Sequence, residues 1–452
     1  MINGTDSRAI ALEILMEITQ EKEYSHIAIR NALDKVGYLP KQERAFINRL
    51  VEGTLEYKIR IDYVLDQFSS VKVKKMKPVI RNILRCGVYQ LLFMDSVPDA
   101  AACNEAVKLA QKKGFYSLKG FVNGVLRTIS REKEQITYPS RENRLSEYLS
   151  VYYSMPLWLT ERWLGEYGPE ITETMLQDSL RDHPVTIRLQ TYRMNPEVCI
   201  ESLERQGAVV TQAPFLSYAR YLSGFDQLAG LKSFHMGSFV VQDVSSMLVT
   251  EIAAPQKGDT VIDLCAAPGG KSLHMADKME GTGHVQARDL TDYKVELIRE
   301  NIRRTAVTNV EAVKKDATVL DKESVGTADI VLADVPCSGL GVIGKKTDVK
   351  YRSDLDKIQE LAVLQKRILH NAASYVKPGG VLIYSTCTIT REENIDNVNW
   401  FVENYPFELE SIDPYLCEEL HSKTTQQGYL QLLPGVHQTD GFFMARLRKQ
   451  QG

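Results

Sequence analysis

The first third of the chain repeats apolar residues at helical spacing. Residues 9–18 place apolar side chains three or four positions apart, which is the pattern of a helix with one buried face. The same spacing recurs in five further segments, at 42–56, 60–68, 77–94, 103–112 and 119–130. We therefore predict an all-α domain of five to seven helices over residues 1–140.

The pattern changes further along the chain. From residue 236 onward, apolar strand-like runs alternate with helical patterns, as a doubly wound α/β fold requires. The predicted strands are 260–264, 284–289, 310–315, 329–334 and 381–386, and the predicted helices include 290–304 and 354–376. Residues 141–235 mix short helices with strand-like runs such as 185–189. This predicts a small α/β module over 141–235 and an α/β domain over 236–452.

Charge divides the chain in a similar way. The net charge of −3 over 452 residues conceals a balance of +6 over residues 1–140 and −9 over the remainder. Four cations, Lys72, Lys74, Lys75 and Lys77, lie within seven residues between two predicted helices. Such a cluster is either a solvated helix entrance or a patch that contacts phosphates, and the sequence favours neither.

Cysteine, histidine and terminal residues indicate the cellular setting. Seven cysteines are too few, and odd in number, for a secreted disulfide scaffold. Met1–Gly4 opens no export signal, and no apolar run approaches the roughly 18 residues of a membrane span. The eight histidines form no H-E-x-x-H motif and there is no C-x-x-C, so we expect a cytoplasmic protein without a metal site.

The strongest local signal is a small-residue turn between a predicted strand and a predicted helix. It consists of Cys265, Ala266, Ala267, Pro268, Gly269, Gly270 and Lys271. A turn of this kind lets a ligand approach the backbone closely. About 20 residues later another strand ends in Asp289, at the distance of a ribose-binding acid. Asp316 and Asp334 follow two further strands, and Asp316 suits the amino group of adenine.

The turn also limits the choice of cofactor. It lacks the G-x-G-x-x-G motif of dinucleotide enzymes and the phosphate loop G-x-x-x-x-G-K-[ST]. An acidic lining disfavours a pyrophosphate and suits a cation that carries ribose, adenine and an ammonium group. S-adenosylmethionine fits this description.

Two cysteines follow late strands of the predicted sheet. Cys337 stands in Pro-Cys-Ser-Gly and Cys387 in Thr-Cys-Thr, so both thiols are expected at the ligand-binding edge. Cytosine C5 is a poor nucleophile, but a thiolate that adds to C6 turns C5 into an enamine carbon that can attack a methyl sulfonium. An acid near N3, a base for the C5 proton and elimination of the thiol complete the reaction. The chemistry alone leaves open which cysteine attacks. The other five, Cys86, Cys103, Cys199, Cys265 and Cys417, are interpreted as ordinary apolar residues.

These motifs resemble the bacterial 16S rRNA cytosine-C5 methyltransferases of the RsmB (Sun/Fmu) family. The likeness covers nearly the whole chain, with a NusB-like RNA-binding domain first and a Rossmann-like methyltransferase domain last. It implies S-adenosylmethionine as cofactor, Cys387 as nucleophile, Cys337 in product release, and Asp334 beside both cofactor and base. It also implies that Lys271 contacts the cofactor carboxylate and Lys350 contacts RNA. Thr388 and Thr347 depart from the family's usual Ser and Pro.

The resemblance implies 16S rRNA, or a small-subunit assembly intermediate, as the partner of a monomeric, membrane-independent enzyme. Two alternatives remain. One is a non-catalytic NusB-like RNA-binding factor, which would not bind S-adenosylmethionine. The other is a small-molecule methyltransferase or dehydrogenase on the same sheet, which would act on free substrates such as cytidine.

Overall fold

The computed structural model describes residues 6–451, and two compact units divide the chain. Unit 1 runs to Arg181 and also contains the later segment Ile343–Arg352. Unit 2 comprises Asp182–Val342 and the chain from Ser353 onward. Met1–Gly4, on which the expected lack of an export signal depends, lies outside the described residues.

Unit 1 is helical throughout its described part. Its α-helices are α1 (Ser7–Met16), α2 (Ser25–Lys35), α3 (Lys41–Glu56), α4 (Lys58–Phe68), α5 (Pro78–Phe93), α6 (Asp99–Lys112), α7 (Lys119–Arg131), α8 (Leu145–Tyr152) and α9 (Leu157–Asp178). Seven of them precede residue 140, which confirms the predicted all-α region.

Apolar spacing explains why these helices pack together. In α7 the buried side chains are Val122, Val125, Leu126 and Ile129, which fall on one face at helical spacing. Similar faces of α1, α3, α4, α5 and α6 join them in one hydrophobic core. Burial of these stripes, rather than intrinsic helix propensity, supplies most of the stability of such helices.

Unit 2 begins with a small antiparallel sheet. Its elements are β1 (Val185–Leu189), α10 (Pro196–Arg205), β2 (Val209–Gln212), β3 (Ala219–Ser223), α11 (Lys232–His235) and β4 (Phe239–Val241). The strand order is β2-β3-β1-β4, and a separate apolar cluster around Ile187 and Leu203 packs this sheet against α10. The small α/β module that the sequence predicts is therefore present.

A larger mixed sheet completes unit 2. Its elements are α12 (Val244–Ala253), β5 (Thr260–Asp263), α13 (Gly270–Lys278), β6 (His284–Asp289), α14 (Asp292–Thr305), β7 (Val310–Lys314), β8 (Ala328–Asp334), α15 (Leu355–Tyr375), β9 (Val376–Thr386), α16 (Ile395–Asn404), β10 (Phe407–Leu409), α17 (Lys423–Gln426), β11 (Tyr429–Leu432) and β12 (Phe442–Lys449).

The strand order of this sheet is β10-β12-β9-β8-β5-β6-β7, with β11 paired to β12. Strands β5 to β9 are parallel, whereas β10, β11 and β12 pair antiparallel. Alternate residues of the central strands enter different apolar clusters: Ile330 packs with α12 and α13, and Val331 packs with α15 and α16. The predicted Rossmann-like fold is confirmed, with an antiparallel extension.

None of the helices between residues 6 and 451 has the combined length and apolar character needed to cross a lipid bilayer.

Candidate active site

Three strands of the parallel sheet end in aspartate at the same edge. Asp263, Asp289 and Asp334 are the last residues of β5, β6 and β8. Because β5 is paired in parallel with both β6 and β8, these strand ends lie side by side. This edge, beyond the carboxyl ends of the strands, is where open α/β sheets bind ligands.

The turn Cys265–Lys271 connects β5 to α13 and is anchored on Asp289. Asp289 is buried, and its carboxylate accepts hydrogen bonds from the backbone N–H of Ala267 at 3.0 Å and of Leu290 at 2.7 Å. Gly269 has a φ of +104°, and a Cβ there would lie 3.4 Å from Ile298. The positive φ therefore favours glycine at this position, whereas the distance to Ile298 is an ordinary van der Waals contact.

Asp263 lies beneath this turn and has an unusual environment. Its Oδ2 accepts a hydrogen bond from the Ser272 hydroxyl at 2.6 Å, and its Oδ1 is buried without a hydrogen-bond partner within the described part of the chain. Burial, reinforced by the charge of Asp334, raises the pKa of Asp263 to about 7. A cation bound at this edge would stabilise the ionised form.

Asp334 is paired with Lys271. The Lys271 ammonium donates to Asp334 Oδ2 at 2.7 Å, and the Ser385 hydroxyl donates to Oδ1 at 2.7 Å. The sequence indicates neither partner for Asp334, because both contacts span more than 50 residues. The expected contact between Lys271 and a cofactor carboxylate stays a prediction, since the structure gives its ammonium another carboxylate.

Asp316 lies two residues beyond β7 and is exposed. Its Oδ1 accepts from the backbone N–H of Thr318 at 2.8 Å and from the Thr318 hydroxyl at 2.7 Å. These bonds, the hydroxyl first, lower the pKa of the Asp316 carboxyl. The group is an ionised acceptor, and its contact with adenine stays a prediction.

The two cysteines of the late strands meet at this edge. Cys337 Sγ and Cys387 Sγ are 3.3 Å apart, although 50 residues separate them in sequence. We call these two residues the thiol pair. The hydrogen bond with Cys387, together with burial, raises the pKa of Cys337 well above that of an ordinary thiol. Cys337 is therefore a proton-carrying thiol at neutral pH.

Four of the five remaining cysteines have a thiol pKa that is raised by burial. Cys86, Cys103 and Cys199 are buried, and burial raises the pKa of each thiol. Cys265 lies in the turn, where burial and the neighbouring aspartates raise its pKa as well. A raised pKa makes a thiol unreactive at neutral pH.

A buried acid, Glu393, lies behind the thiol pair and was not identified from the sequence. Its side chain is fully buried and accepts hydrogen bonds from the Ser338 backbone N–H at 2.8 Å and from Thr390 Oγ1 at 2.7 Å. Gln365 Nε2 donates to it at 3.0 Å, and the Ser338 hydroxyl donates as well. Glu393 stands in an unremarkable polar stretch after the last parallel strand, so no signal in a single sequence distinguishes it.

The acidic groups at this edge differ in how far their oxygens are already hydrogen-bonded. Asp263 supplies a buried oxygen without a partner, whereas the oxygens of Asp289 and Asp334 are held by backbone N–H groups, hydroxyls and lysines. Between residues 6 and 451, no group of three or more His, Cys, Asp or Glu is arranged to hold a metal ion.

The lysines that were predicted to contact RNA lie in two different environments. Lys72, Lys74, Lys75 and Lys77 are exposed on unit 1, around the buried Val73 and Met76. The Lys72 ammonium donates to the Asp66 carbonyl at 2.8 Å, and that of Lys77 lies 5.5 Å from the Phe115 ring centroid. Their contact with RNA stays a prediction.

The prediction that Lys350 contacts RNA must be corrected. Lys350 is 1% exposed inside unit 1, and its ammonium donates to the Glu56 carbonyl at 2.9 Å. A neighbouring anchor holds the same segment, since Asp348 accepts from the Ser25 hydroxyl at 2.6 Å. Thr347 therefore does not prevent an ordered segment. The packing of residues 343–352 into a helical core far away in sequence could not be inferred locally.

Family models match three parts of the chain. The model described as 16S rRNA methyltransferase RsmB/F matches residues 250–448, and the NusB family matches residues 5–131. A third model, described as an RsmF/B-like methyltransferase ferredoxin-like domain, matches residues 155–225.

Whole-chain relatives agree with these models. "Probable ribosomal RNA small subunit methyltransferase B" of Bacillus subtilis (strain 168) is 37% identical, over 99% of both chains. Ribosomal RNA small subunit methyltransferase B of Proteus mirabilis (strain HI4320) is 30% identical, over 90% of this chain and 91% of the relative. The crystal structure of PH0851 matches with a TM-score of 0.82 and 29% identity, over 98% of each chain. This chain therefore belongs to the ribosomal RNA small subunit methyltransferase B family.

Proposed function

We propose that this protein methylates C5 of a cytosine in 16S rRNA with S-adenosylmethionine as methyl donor. The observation that carries the proposal is the thiol pair, with its sulfur atoms 3.3 Å apart, at the sheet edge that also holds Asp334. A cofactor site alone would be compatible with many methyltransferases. Two thiols beside an acid meet the particular demands of cytosine C5 chemistry.

The cofactor would be held by the turn Cys265–Lys271 and by the strand-end acids. Asp289 suits the ribose hydroxyls, Asp316 the adenine amino group, and Asp263 the positive end of the ligand. When bound, the cofactor supplies an electrophilic methyl group on a positively charged sulfur. The orphaned Oδ1 of Asp263 supports this assignment, because a buried acceptor without a partner is unfavourable until a positive ligand arrives.

The chain itself activates the base. The Cys387 thiolate adds to C6, and the electron pair of the C5–C6 double bond moves so that C5 becomes nucleophilic while negative charge develops toward N3. The Lys271 ammonium, 2.7 Å from Asp334, supplies a hydrogen-bond donor and a positive charge that can stabilise N3.

Release of the product reverses the addition. The C5 proton leaves to a base, the C5–C6 double bond re-forms, and Cys387 departs as a thiolate. Cys337 lies within 3.3 Å of the departing sulfur and carries a proton, because its pKa is raised. We assign Cys337 to this step as the thiol that donates a hydrogen bond to the departing Cys387 thiolate and so stabilises it as the leaving group.

RNA binding completes the proposal. The target cytosine must be unstacked for its C6 to reach a thiol held at a sheet edge. Lys72, Lys74, Lys75 and Lys77 are exposed and suit backbone phosphates, so affinity for RNA should fall with rising salt concentration.

Domain boundaries at residues 140 and 235, a monomeric state and a cytoplasmic location are part of the same proposal.

Single cysteine variants test the two thiol roles. We expect Cys387→Ala to abolish methylation of 16S rRNA, measured by bisulfite sequencing. We expect Cys337→Ala to leave a covalent enzyme–RNA adduct that survives a denaturing gel. An adduct formed by Cys387→Ala instead would show that the roles are exchanged, and normal methylation by both variants would refute the proposal.

A further inference from the structure

The two loops that carry the thiol pair are joined by two adjacent residues. Glu393 binds the Cys337 loop, because its carboxylate accepts from the backbone N–H and from the hydroxyl of Ser338. Asn394 binds the Cys387 loop, since its Oδ1 accepts from Thr386 at 2.6 Å and its Nδ2 donates to the Thr388 carbonyl at 3.0 Å. The Glu393–Asn394 pair therefore brackets both cysteines without touching the reacting atoms.

A direct contact closes this arrangement. The hydroxyls of Ser338 and Thr388 are 2.8 Å apart, so the residues that follow the two cysteines are hydrogen-bonded to each other. Gln365 adds a brace, because its Nε2 donates to the Pro336 carbonyl at 2.9 Å and to Glu393 at 3.0 Å. A buried polar network thus holds the two loops of the thiol pair together. Such networks are costly to disrupt when every member is satisfied.

The carboxylate charge of this network affects the pKa of the Cys337 thiol. Glu393 is fully buried and accepts four hydrogen bonds, from Ser338 twice, from Thr390 and from Gln365. A negative charge beside the Cys337 loop disfavours a second negative charge on that thiol. Burial and Glu393 both act on Cys337 in this sense, after the larger effect of Cys387.

We propose that Glu393 is a positioning residue that sets the geometry of the thiol pair and keeps the shared proton on Cys337. The thiolate is thereby assigned to Cys387, the sulfur that must attack C6. This inference rests on the proposed function, because it gives the two thiols different tasks. It extends that function by identifying the group that makes two neighbouring thiols chemically unequal.

The test measures the thiol directly, without RNA or cofactor. In a Cys387→Ala background, which removes the competing thiol, alkylation of Cys337 by iodoacetamide is followed against pH by peptide mass spectrometry. Adding Glu393→Gln, which keeps the shape and removes the charge, should lower the pH of half-maximal alkylation by about one unit. Adding Glu393→Asp, which keeps the charge, should leave that pH closer to the background value.

A further variant separates charge from folding. Thr390→Val removes one donor and keeps the carboxylate, so the pH of half-maximal alkylation should stay at the background value or rise. If circular dichroism shows that Glu393→Gln does not fold, the alkylation profile of Thr390→Val tests the inference instead. An unchanged alkylation profile in folded Glu393→Gln, or a fall of that pH in Thr390→Val, would overturn the inference.

Methylation assays distinguish this inference from the proposed function. With Cys387 intact, Glu393→Gln should reduce kcat and shift the pH–rate profile, leave the Kd for S-adenosylmethionine unchanged, and be partly rescued by Glu393→Asp. If Cys387→Ala still methylates RNA, the proposed function fails whatever the alkylation profile shows. If Cys387→Ala is inactive and Glu393→Gln has a wild-type pH–rate profile, only the role of Glu393 fails.

Discussion

Protonation of Asp263 should control cofactor affinity. Burial raises the pKa of this carboxyl from 3.8 to about 7, and its Oδ1 has no partner in the described residues. A bound cation favours the ionised form and pulls the pKa back toward its ordinary value. Binding below pH 7 must then release a proton, so affinity is lost as pH falls through 7 and is constant above it.

The size of the effect follows from the pKa. If the pKa in the complex lies below about 5, affinity for S-adenosylmethionine should rise about 25-fold between pH 5.5 and 7.5. Asp263→Asn resembles the protonated form at every pH. Its affinity should be independent of pH and, for a pKa of about 5 in the complex, about 4-fold weaker than that of the natural protein at pH 5.5 and about 75-fold weaker at pH 7.5.

Isothermal titration calorimetry tests this in two buffers of different ionisation enthalpy, since their difference reports the proton released. Asp259→Asn is a matched control, because Asp259 immediately precedes the same strand at its opposite end and its pKa is also raised by burial. This control should keep the full pH dependence. An affinity of the natural protein that changes less than about threefold over this range, or an equal slope in Asp263→Asn, would refute the reasoning.

Two further predictions concern the fold. Burial lowers the pKa of Lys350 from 10.5 to about 7, so its charged form opposes folding below that pH. Lys350→Met should therefore raise the free energy of unfolding of unit 1 by about 3 kcal/mol at pH 6, a figure that allows for the lost hydrogen bond to Glu56. This gain should shrink as the pH rises toward 10.5. Urea unfolding at pH 6 and pH 9 measures the gain, and a gain that does not depend on pH would contradict the prediction. At Gly341 an added Cβ would lie 1.9 Å from the Gly441 carbonyl oxygen and 2.9 Å from that of Cys387. Gly341→Ala should displace Cys387 and lower kcat by about 100-fold, whereas Gly230→Ala, which meets nothing within 4 Å, should be neutral in the same assay; equal activity of the two variants would contradict it.

The sequence alone determined the elements and the type of site. Helical spacing such as that of Val122, Val125 and Leu126 marks a buried face, so six of the seven helices before residue 140 could be predicted, whereas α2 was not among the predicted segments. The strand-end aspartates were predictable for a related reason, because parallel strands must bring their carboxyl ends to one edge. The helical-spacing rule is local to one helix, and the strand-end rule follows from the parallel topology of the sheet. In both cases the backbone already fixes the relative positions of the residues concerned.

Only the tertiary structure decided which side chains meet. The approach of Cys337 to Cys387, the pairing of Lys271 with Asp334 and the placement of Glu393 behind the thiols all join distant segments. Lys350 shows the same limit of prediction from sequence, since a lysine that was expected on an RNA-binding surface is buried in a helical core. Burial, ion pairing and hydrogen bonding between distant segments depend on the tertiary fold. The periodicity of apolar residues along the sequence does not specify which distant segments meet.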